Sequence, residues 1–253
     1  MITHLERVRF AELEGLREFF PAGSRVLEVG GGSGYQASII AAWGCSIVSI
    51  DLQDEQNPSL RYFSQQHFPV QPYDGKNFPF PDASFDILFS SNVLCQIASL
   101  EPFLKEARRL LKPGGRMIHI VPTASWRFWT CAAHYVFYLA ALGRRLGPRQ
   151  STPANAGPGR PPSKEAVGSR LRRLLIAPPE GAAPSALVEL VRFRKSYWAD
   201  RFTAVSLNIL ACMPAGVFHT GYILKPDLPI AARRRWARWL GSSCQVFVLE
   251  ARR

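Results

Sequence analysis

RVLEVGGGSGY, residues 25–35, runs from a short apolar stretch into a turn of four glycines, and its reading decides the fold. The apolar part is short enough for a buried strand, and the glycines after it permit a tight reversal. A helix through QASIIAAWG (36–44) follows, and SIVSIDL (46–52) is a second strand. Strand, glycine turn, helix and strand in that order make a βαβ unit, which requires a parallel sheet.

The same alternation extends outward. FPVQPYD (68–74) reads as a third strand and FDILFSS (85–91) as a fourth. SLEPFLKEARRLL (99–111) reads as a helix with Ser99 at its N-cap, LKPGG (111–115) as its stop, and RMIHIVP (116–122) as a fifth strand. Upstream, Val8, Leu13, Leu16 and Phe19 recur near helical spacing and place an amphipathic helix before Pro21. The fold class is α/β, a doubly wound and mostly parallel sheet.

Past residue 122 the pattern changes. Sixteen residues, Phe128 to Gly143, carry no formal charge and lie between Arg127 and the pair Arg144–Arg145. A membrane span needs about 20 mostly apolar residues, so this stretch does not qualify. As a helix over 126–146 it has two readings. Trp126, Phe128, Trp129, Tyr135 and Tyr138 beside arginines suit a helix lying in a membrane interface, and they equally suit a roof over an acceptor pocket. PRQSTPANAGPGRPPSK (148–164) reads as a flexible loop, SKEAVGSRLRRLL (163–175) as a basic helix and SALVELVRFRKSYWADRF (185–202) as one further helix. A strand within TAVSLNILACM (203–213), a helix LPIAARRRWARWLG (228–241) and a strand CQVFVLEA (244–251) close the chain. The organisation expected is one domain over 1–253. It comprises a ligand-binding core at 24–123, helical additions at 124–200 facing an acceptor or a membrane, and a strand-helix-strand at 201–253 completing the sheet.

Charge divides along the same boundary. Residues 1–122 hold 11 Lys and Arg against 13 Asp and Glu, whereas residues 123–253 hold 20 against 6. The whole net charge of +12 therefore comes from the second half. Such a field favours a phosphate-bearing partner, with a basic solubilising surface as the plain alternative. The five cysteines are odd in number and widely spaced, and they include no C-x-x-C pair, which argues against a disulfide framework and against structural zinc. With no apolar signal-peptide core in MITHLERVRFAELEG, a reducing cytoplasm is the expected setting.

Glu28, Gly30, Gly32 and Gly34 fit E-x-G-x-G-x-G at the end of the first strand. Glycines there let the backbone approach a ligand, and the helix that follows aims its first amides into the same space. A glutamate beside the turn suits the ammonium of an amino-acid-bearing cofactor and repels a pyrophosphate. The dinucleotide fingerprint G-x-G-x-x-G fails, because Tyr35 stands where its third glycine belongs. Asp51, at the end of the second strand, can accept from both hydroxyls of a ribose, and Asp74, after the third, can receive an adenine amino group. Asp82 and Asp86 read as turn-formers.

These residues carry a family resemblance. VLEVGGGSGY (26–35), Asp51, YDGKNFPFPDASFDILFSSNVL (73–94) and LLKPGGRMIHIVP (110–122) resemble the class I methyltransferases of the methyltransferase-11 or UbiE-like group. The resemblance implies a Rossmann-like seven-stranded sheet with an antiparallel last strand. It implies S-adenosyl-L-methionine as cofactor, bound by Glu28, Gly30, Gly32, Gly34, Asp51 and Asp74, with Asn92 close to it. Where relatives carry Asn-Val-Leu-Glu-His, this chain has Asn92, Val93, Leu94, Cys95 and Gln96. The tail segments GVFHTGYIL (216–224) and RRRWARWLGSSCQVFVL (233–249) resemble bacterial methyltransferases of glycan assembly.

The methyl acceptor is less legible. His119 reads as a core residue, and His67 has no supporting motif. His134 and His219 fall in the segments that would build an acceptor pocket, yet no catalytic residue and no metal ligand can be assigned. A small-molecule, glycan or lipid-linked acceptor ranks first, with an anionic membrane surface as a companion partner. Nucleic acid ranks lower because no recognised RNA-binding module is present. The alternatives are an RNA or protein methyltransferase and a scaffold that binds the cofactor without transferring methyl.

Overall fold

β1 (Arg25–Val29) is buried along all but its first residue, as expected of a strand covered on both faces. It lies third in a seven-stranded sheet ordered β3-β2-β1-β4-β5-β7-β6, in a computed structural model that describes residues 3–52, 65–146, 177–222 and 225–252. β2 (Ser46–Leu52), β3 (Val70–Tyr73), β4 (Phe85–Ser91) and β5 (Leu111–Pro122) run parallel to β1. β7 (Cys244–Ala251) pairs antiparallel with both β5 and β6 (Leu207–Pro214). The expected doubly wound, mostly parallel sheet with one antiparallel strand is therefore the observed fold.

Alternation along the strands divides the core into two layers. Leu27, Val29, Leu88, Met117, Phe247 and Leu249 point to one face. There they meet α3 (Leu100–Arg109) through Phe103 and Leu104, and a later helix through Trp198 and Phe202. Val26, Ile87, Phe89, Ile118, Ile120 and Val248 point to the other face. They are covered by Leu13 of α1 (His4–Glu14), by Leu16 and Phe20, and by Ile40 of α2 (Tyr35–Ala42).

Several boundaries differ from the sequence reading. The first helix ends at Glu14, and Leu16 and Phe19 fall outside it, Phe19 within a short 3-10 turn (Arg17–Phe19). Ser99 occupies the N-cap place of α3 but makes no capping hydrogen bond. LKPGG belongs to β5, whose pairing with β4 shifts register between Phe85 and Ile87. The helix read over 185–202 is two, α5 (Ala186–Arg192) and α6 (Lys195–Ala204). The break follows from packing: Phe193 is buried against Trp126 and Trp198, its carbonyl accepts from Ala124 N, and Arg194 turns extended to start the next helix. The loop read at 148–164 and the basic helix at 163–175 lie outside the described residues.

α4 (Ala124–Leu146) forms where one long helix was expected. Of its six aromatics, Trp129 turns inward and donates from Nε1 to Leu240 O at 3.0 Å, and Trp126 packs on Phe193. Phe128 and Tyr135 stay exposed, with Val136, Phe137 and Leu139. α7 (Ile230–Leu240) lies against the start of α4, and its Trp239 is 85% exposed.

Candidate functional site

The C-terminal ends of β1, β2 and β4 meet at the glycine turn. Gly30 N and Gly31 N both donate to Ile50 O, and Gly34 N closes the turn onto Gly31 O at 2.8 Å. Gly30 (φ 78°) and Gly34 (φ 72°) adopt left-handed conformations. A Cβ on Gly34 would lie 2.6 Å from Phe68 O, and one on Gly30 would strike Val93, so both positions require glycine.

The three acids expected to bind the cofactor, Glu28, Asp51 and Asp74, occupy different environments. Glu28 is 2% exposed and sits beneath the turn, accepting from Ser49 Oγ at 2.6 Å. Burial, with a smaller push from Asp51, raises its carboxyl to about 7. Asp51 is half-buried at the rim: one oxygen accepts from Gly32 N at 2.7 Å and the other from Leu52 N at 2.7 Å. It therefore braces the turn while leaving each carboxylate oxygen room for a further donor. Asp74 is exposed; its Oδ1 accepts from Lys76 N and Asn77 N, both at 2.8 Å, so it also shapes its own loop.

Asn92 follows β4 in a left-handed conformation (φ 60°), tied to β5 by its N–H on Ile120 O. Its Oδ1 accepts from the Cys244 thiol at 3.4 Å. β7 runs antiparallel to β5, with Cys244 opposite Pro122, and this brings Cys244 to the same edge of the sheet as Asn92. Cys95 and Gln96 hold the neighbouring chain in place. Cys95 O accepts from Ala182 N at 2.9 Å, and Gln96 Nε2 donates to Glu180 O at 2.6 Å. Together they fasten the segment after residue 177 to the site's edge.

The histidines separate clearly. His119 is a core residue, bonded through Nδ1 to Ser90 Oγ at 2.8 Å, and burial pushes it down to about 3, which keeps it neutral. His67 meets Glu6 at 2.8 Å, and His134 pairs with the Tyr222 hydroxyl. His219 is buried, with Nε2 at 3.2 Å from Glu12 Oε1 and 3.9 Å from Cys244 Sγ.

Glu12 was missed by the sequence reading, which treated α1 only as an amphipathic helix. The available signal was a glutamate between Ala11 and Leu13 on a face where all three are buried. Burial opposes its ionisation, but the Arg9 guanidinium at 2.7 Å and the His219 hydrogen bond overcome that and hold the carboxyl down to about 2. Glu12, His219 and Cys244 place their ligand atoms within 4.8 Å of one another, a spacing that three metal ligands could have. Arg9, however, already contributes a positive charge there, reaching Glu12 and approaching Cys244 Sγ at 4.0 Å. A metal ion would have to displace it, and burial and Glu12 keep the Cys244 thiol protonated. The set is a hydrogen-bonded network that links α1 to the end of β4.

Residues 27–119 match a family described as a methyltransferase domain. The demethylmenaquinone methyltransferase of Tropheryma whipplei is 35% identical over 130 residues, covering 49% of this chain and 52% of that protein. The sterol 24-C-methyltransferase of Pneumocystis carinii is 35% identical over 107 residues, 40% of this chain and 27% of that one. The chain thus spans about half the length of the first of these relatives. Among solved structures, an S-adenosylmethionine-dependent methyltransferase from Mesorhizobium loti superposes with a TM-score of 0.52 at 16% identity, covering 94% of this chain and 97% of that one, which shows a shared fold.

Proposed function

We propose that the protein, whose residues 27–119 match a family described as a methyltransferase domain, transfers a methyl group from S-adenosyl-L-methionine to an acceptor held at the C-terminal edge of its sheet. The observation that carries this reading is the glycine turn braced by Asp51, with Glu28 buried beneath it. The cofactor supplies an electrophilic methyl on a sulfonium, which passes to a nucleophile by in-line displacement. Asp51 receives the ribose hydroxyls, the side of the site near Asp74 takes the adenine, and the turn above Glu28 takes the amino-acid end. Asn92, at the end of β4, lies on the acceptor side. Titration calorimetry with S-adenosylhomocysteine tests the reading, and no binding up to about millimolar ligand sinks it. Methyl-labelled cofactor added to an extract of the source cells, followed by separation into lipid, glycan, protein and RNA fractions, identifies the acceptor class.

The Glu28 carboxyl gives this binding a pH signature. An acid raised from 4.5 to about 7 stabilises the fold in its neutral form, and that contribution is lost as pH rises through this window. A cationic ammonium above Glu28 favours the ionised form and releases a proton on binding. S-adenosylhomocysteine affinity should therefore rise severalfold between about pH 6 and about pH 8 in the native protein, and stay flat in Glu28→Gln. Calorimetry in two buffers of different ionisation enthalpy reads the released proton directly.

The acceptor proposed is a small molecule, glycan or lipid-linked group presented at a membrane surface. No helix among the described residues is long and apolar enough to cross a membrane. Phe128, Tyr135, Val136 and Leu139 nevertheless form an exposed strip on α4, and Trp239 projects from the arginine-bearing α7. Each basic residue near an acidic surface is worth about 1 kcal/mol, screened by salt. The protein should sediment with anionic vesicles at low ionic strength and less with neutral ones. Trp239→Ser should weaken the salt-resistant part, whereas Trp129, which faces inward, is the wrong residue to change. Protein left in the supernatant with anionic vesicles at low salt removes the membrane from the proposal.

A further inference from the structure

Beside His219 lies a cavity of about 180 Å³ whose walls include His4, Lys225, Arg233, Phe218 and Trp236. Arg233 is 6% exposed, yet its guanidinium donates only to backbone carbonyls: Leu228 O at 3.2 Å, Phe218 O at 3.3 Å and Lys225 O at 2.6 Å. No carboxylate among the described residues pairs with it. Glu12 is taken by Arg9, Glu14 by Arg234 at 2.8 Å, and Asp227 stands exposed outside the cavity wall. Arg7 lies close behind, donating to Pro226 O at 3.1 Å. Burial lowers His4, and the neighbouring Arg233 and Arg7 lower it further, as a field of one sign requires.

A buried guanidinium without a counter-charge is costly, and carbonyl dipoles compensate it only in part. An anion in the adjoining cavity would supply the missing charge, and several cationic groups around one small space suit more than a single negative charge. Phe218 and Trp236 give the cavity an apolar side next to these cations. The position is equally informative. His219 forms part of the wall and reaches Cys244, which bonds Asn92, so the cavity is separated from the end of β4 by two side chains.

We propose that this cavity binds a phosphoryl group, a mono- or diphosphate carried by the methyl acceptor, with Arg233, Lys225 and His4 as its ligands. The assignment of that group to the acceptor rests on the methyl-transfer reading above; the anion site itself does not. It places the acceptor's phosphate end under α7 and its reacting end toward Asn92.

The test is calorimetry of the full chain with inorganic pyrophosphate and, separately, with S-adenosylhomocysteine, with Trp236 fluorescence as a second readout. Pyrophosphate is expected to bind more tightly than inorganic phosphate. Lys225→Ala and His4→Ala should each weaken it at least about tenfold, the size of a lost charge-assisted contact, while leaving S-adenosylhomocysteine affinity unchanged. Arg233→Gln should abolish pyrophosphate binding. Because Arg233 also bonds the carbonyls of Phe218, Lys225 and Leu228, the exposed Lys225 and the distant control Arg201→Ala keep the test decisive if that variant does not fold. Neutral vesicles containing a prenyl diphosphate distinguish a lipid source, where binding is competed by pyrophosphate, from a soluble one, where only the free anion binds. Either result supports a phosphoryl site. The proposal is overturned if pyrophosphate does not bind, or if Arg201→Ala weakens it as much as Lys225→Ala does. Pyrophosphate binding without S-adenosylhomocysteine binding leaves the anion site standing and removes the methyl-transfer reading.

Discussion

Glu189→Ala is expected to lower the melting temperature by about 6–20 °C, because it breaks an ion pair that has no access to water. Arg127 of α4 and Glu189 of α5 are both fully buried, with Nε and Oε2 3.1 Å apart. The other Glu189 oxygen accepts from Glu180 N at 2.8 Å and Gly181 N at 2.7 Å, and Arg127 Nη2 donates to Pro178 O at 2.6 Å. Truncating the glutamate strands two backbone N–H groups and leaves the buried guanidinium with Pro178 O and only a 3.9 Å approach to the Glu180 carboxylate, and breaking a buried pair in this way costs about 3–5 kcal/mol. Each kcal/mol shifts the melting point of a chain this size by about 2–4 °C. The 3.1 Å approach is a charge contact without an aligned hydrogen bond, since Arg127 Nε and Glu189 Oε2 have none. An apolar replacement of both, Arg127→Met with Glu189→Leu, should therefore recover only the share owed to the unpaired guanidinium, because Glu180 N and Gly181 N still lose their acceptor. Thermal melts followed by circular dichroism decide the point, and a single variant melting within about 2 °C of the native protein would show that the pair is hydrated.

Asp51→Ala should weaken S-adenosylhomocysteine binding by well over tenfold while shifting the melting point little. Charge-assisted hydrogen bonds are worth about 1.5–3 kcal/mol each, and Asp51 is proposed to make them to the ribose. It also accepts from Gly32 N at 2.7 Å, so its removal loosens the glycine turn as well as the ligand. Asp51→Asn, which keeps the size and one acceptor oxygen, should fall between the two. Calorimetry reads both variants, and an unchanged affinity in the alanine variant would take Asp51 out of the cofactor site.

The sheet was legible for a local reason. β1, β4 and β7 are buried on both faces and so carry short apolar runs, Val26–Leu27, Ile87–Phe89 and Val246–Leu249, and the glycines at 30, 32 and 34 mark where the backbone must take positive φ. Boundaries were less legible where packing overrides propensity. Phe193 and Arg194 stand inside a continuous helical pattern, yet the chain breaks there because Phe193 seats between Trp126 and Trp198. The aromatic strip of α4 was read as one surface, but only the position of α7 decides that Trp129 turns inward while Phe128 stays outside.

Taken alone, the sequence determined the order of strands and helices, the glycine turn and the acids that follow it. All of these depend on residues close together in the chain or on a period that a short window contains. The tertiary structure alone decided that Glu12 meets His219 across 207 positions, that Glu28 lies beneath its turn and titrates near 7, and that Arg233 is buried without a counter-charge beside a cavity. Charge pairing and desolvation depend on which surfaces exclude water once distant segments pack, and no stretch of sequence contains that information.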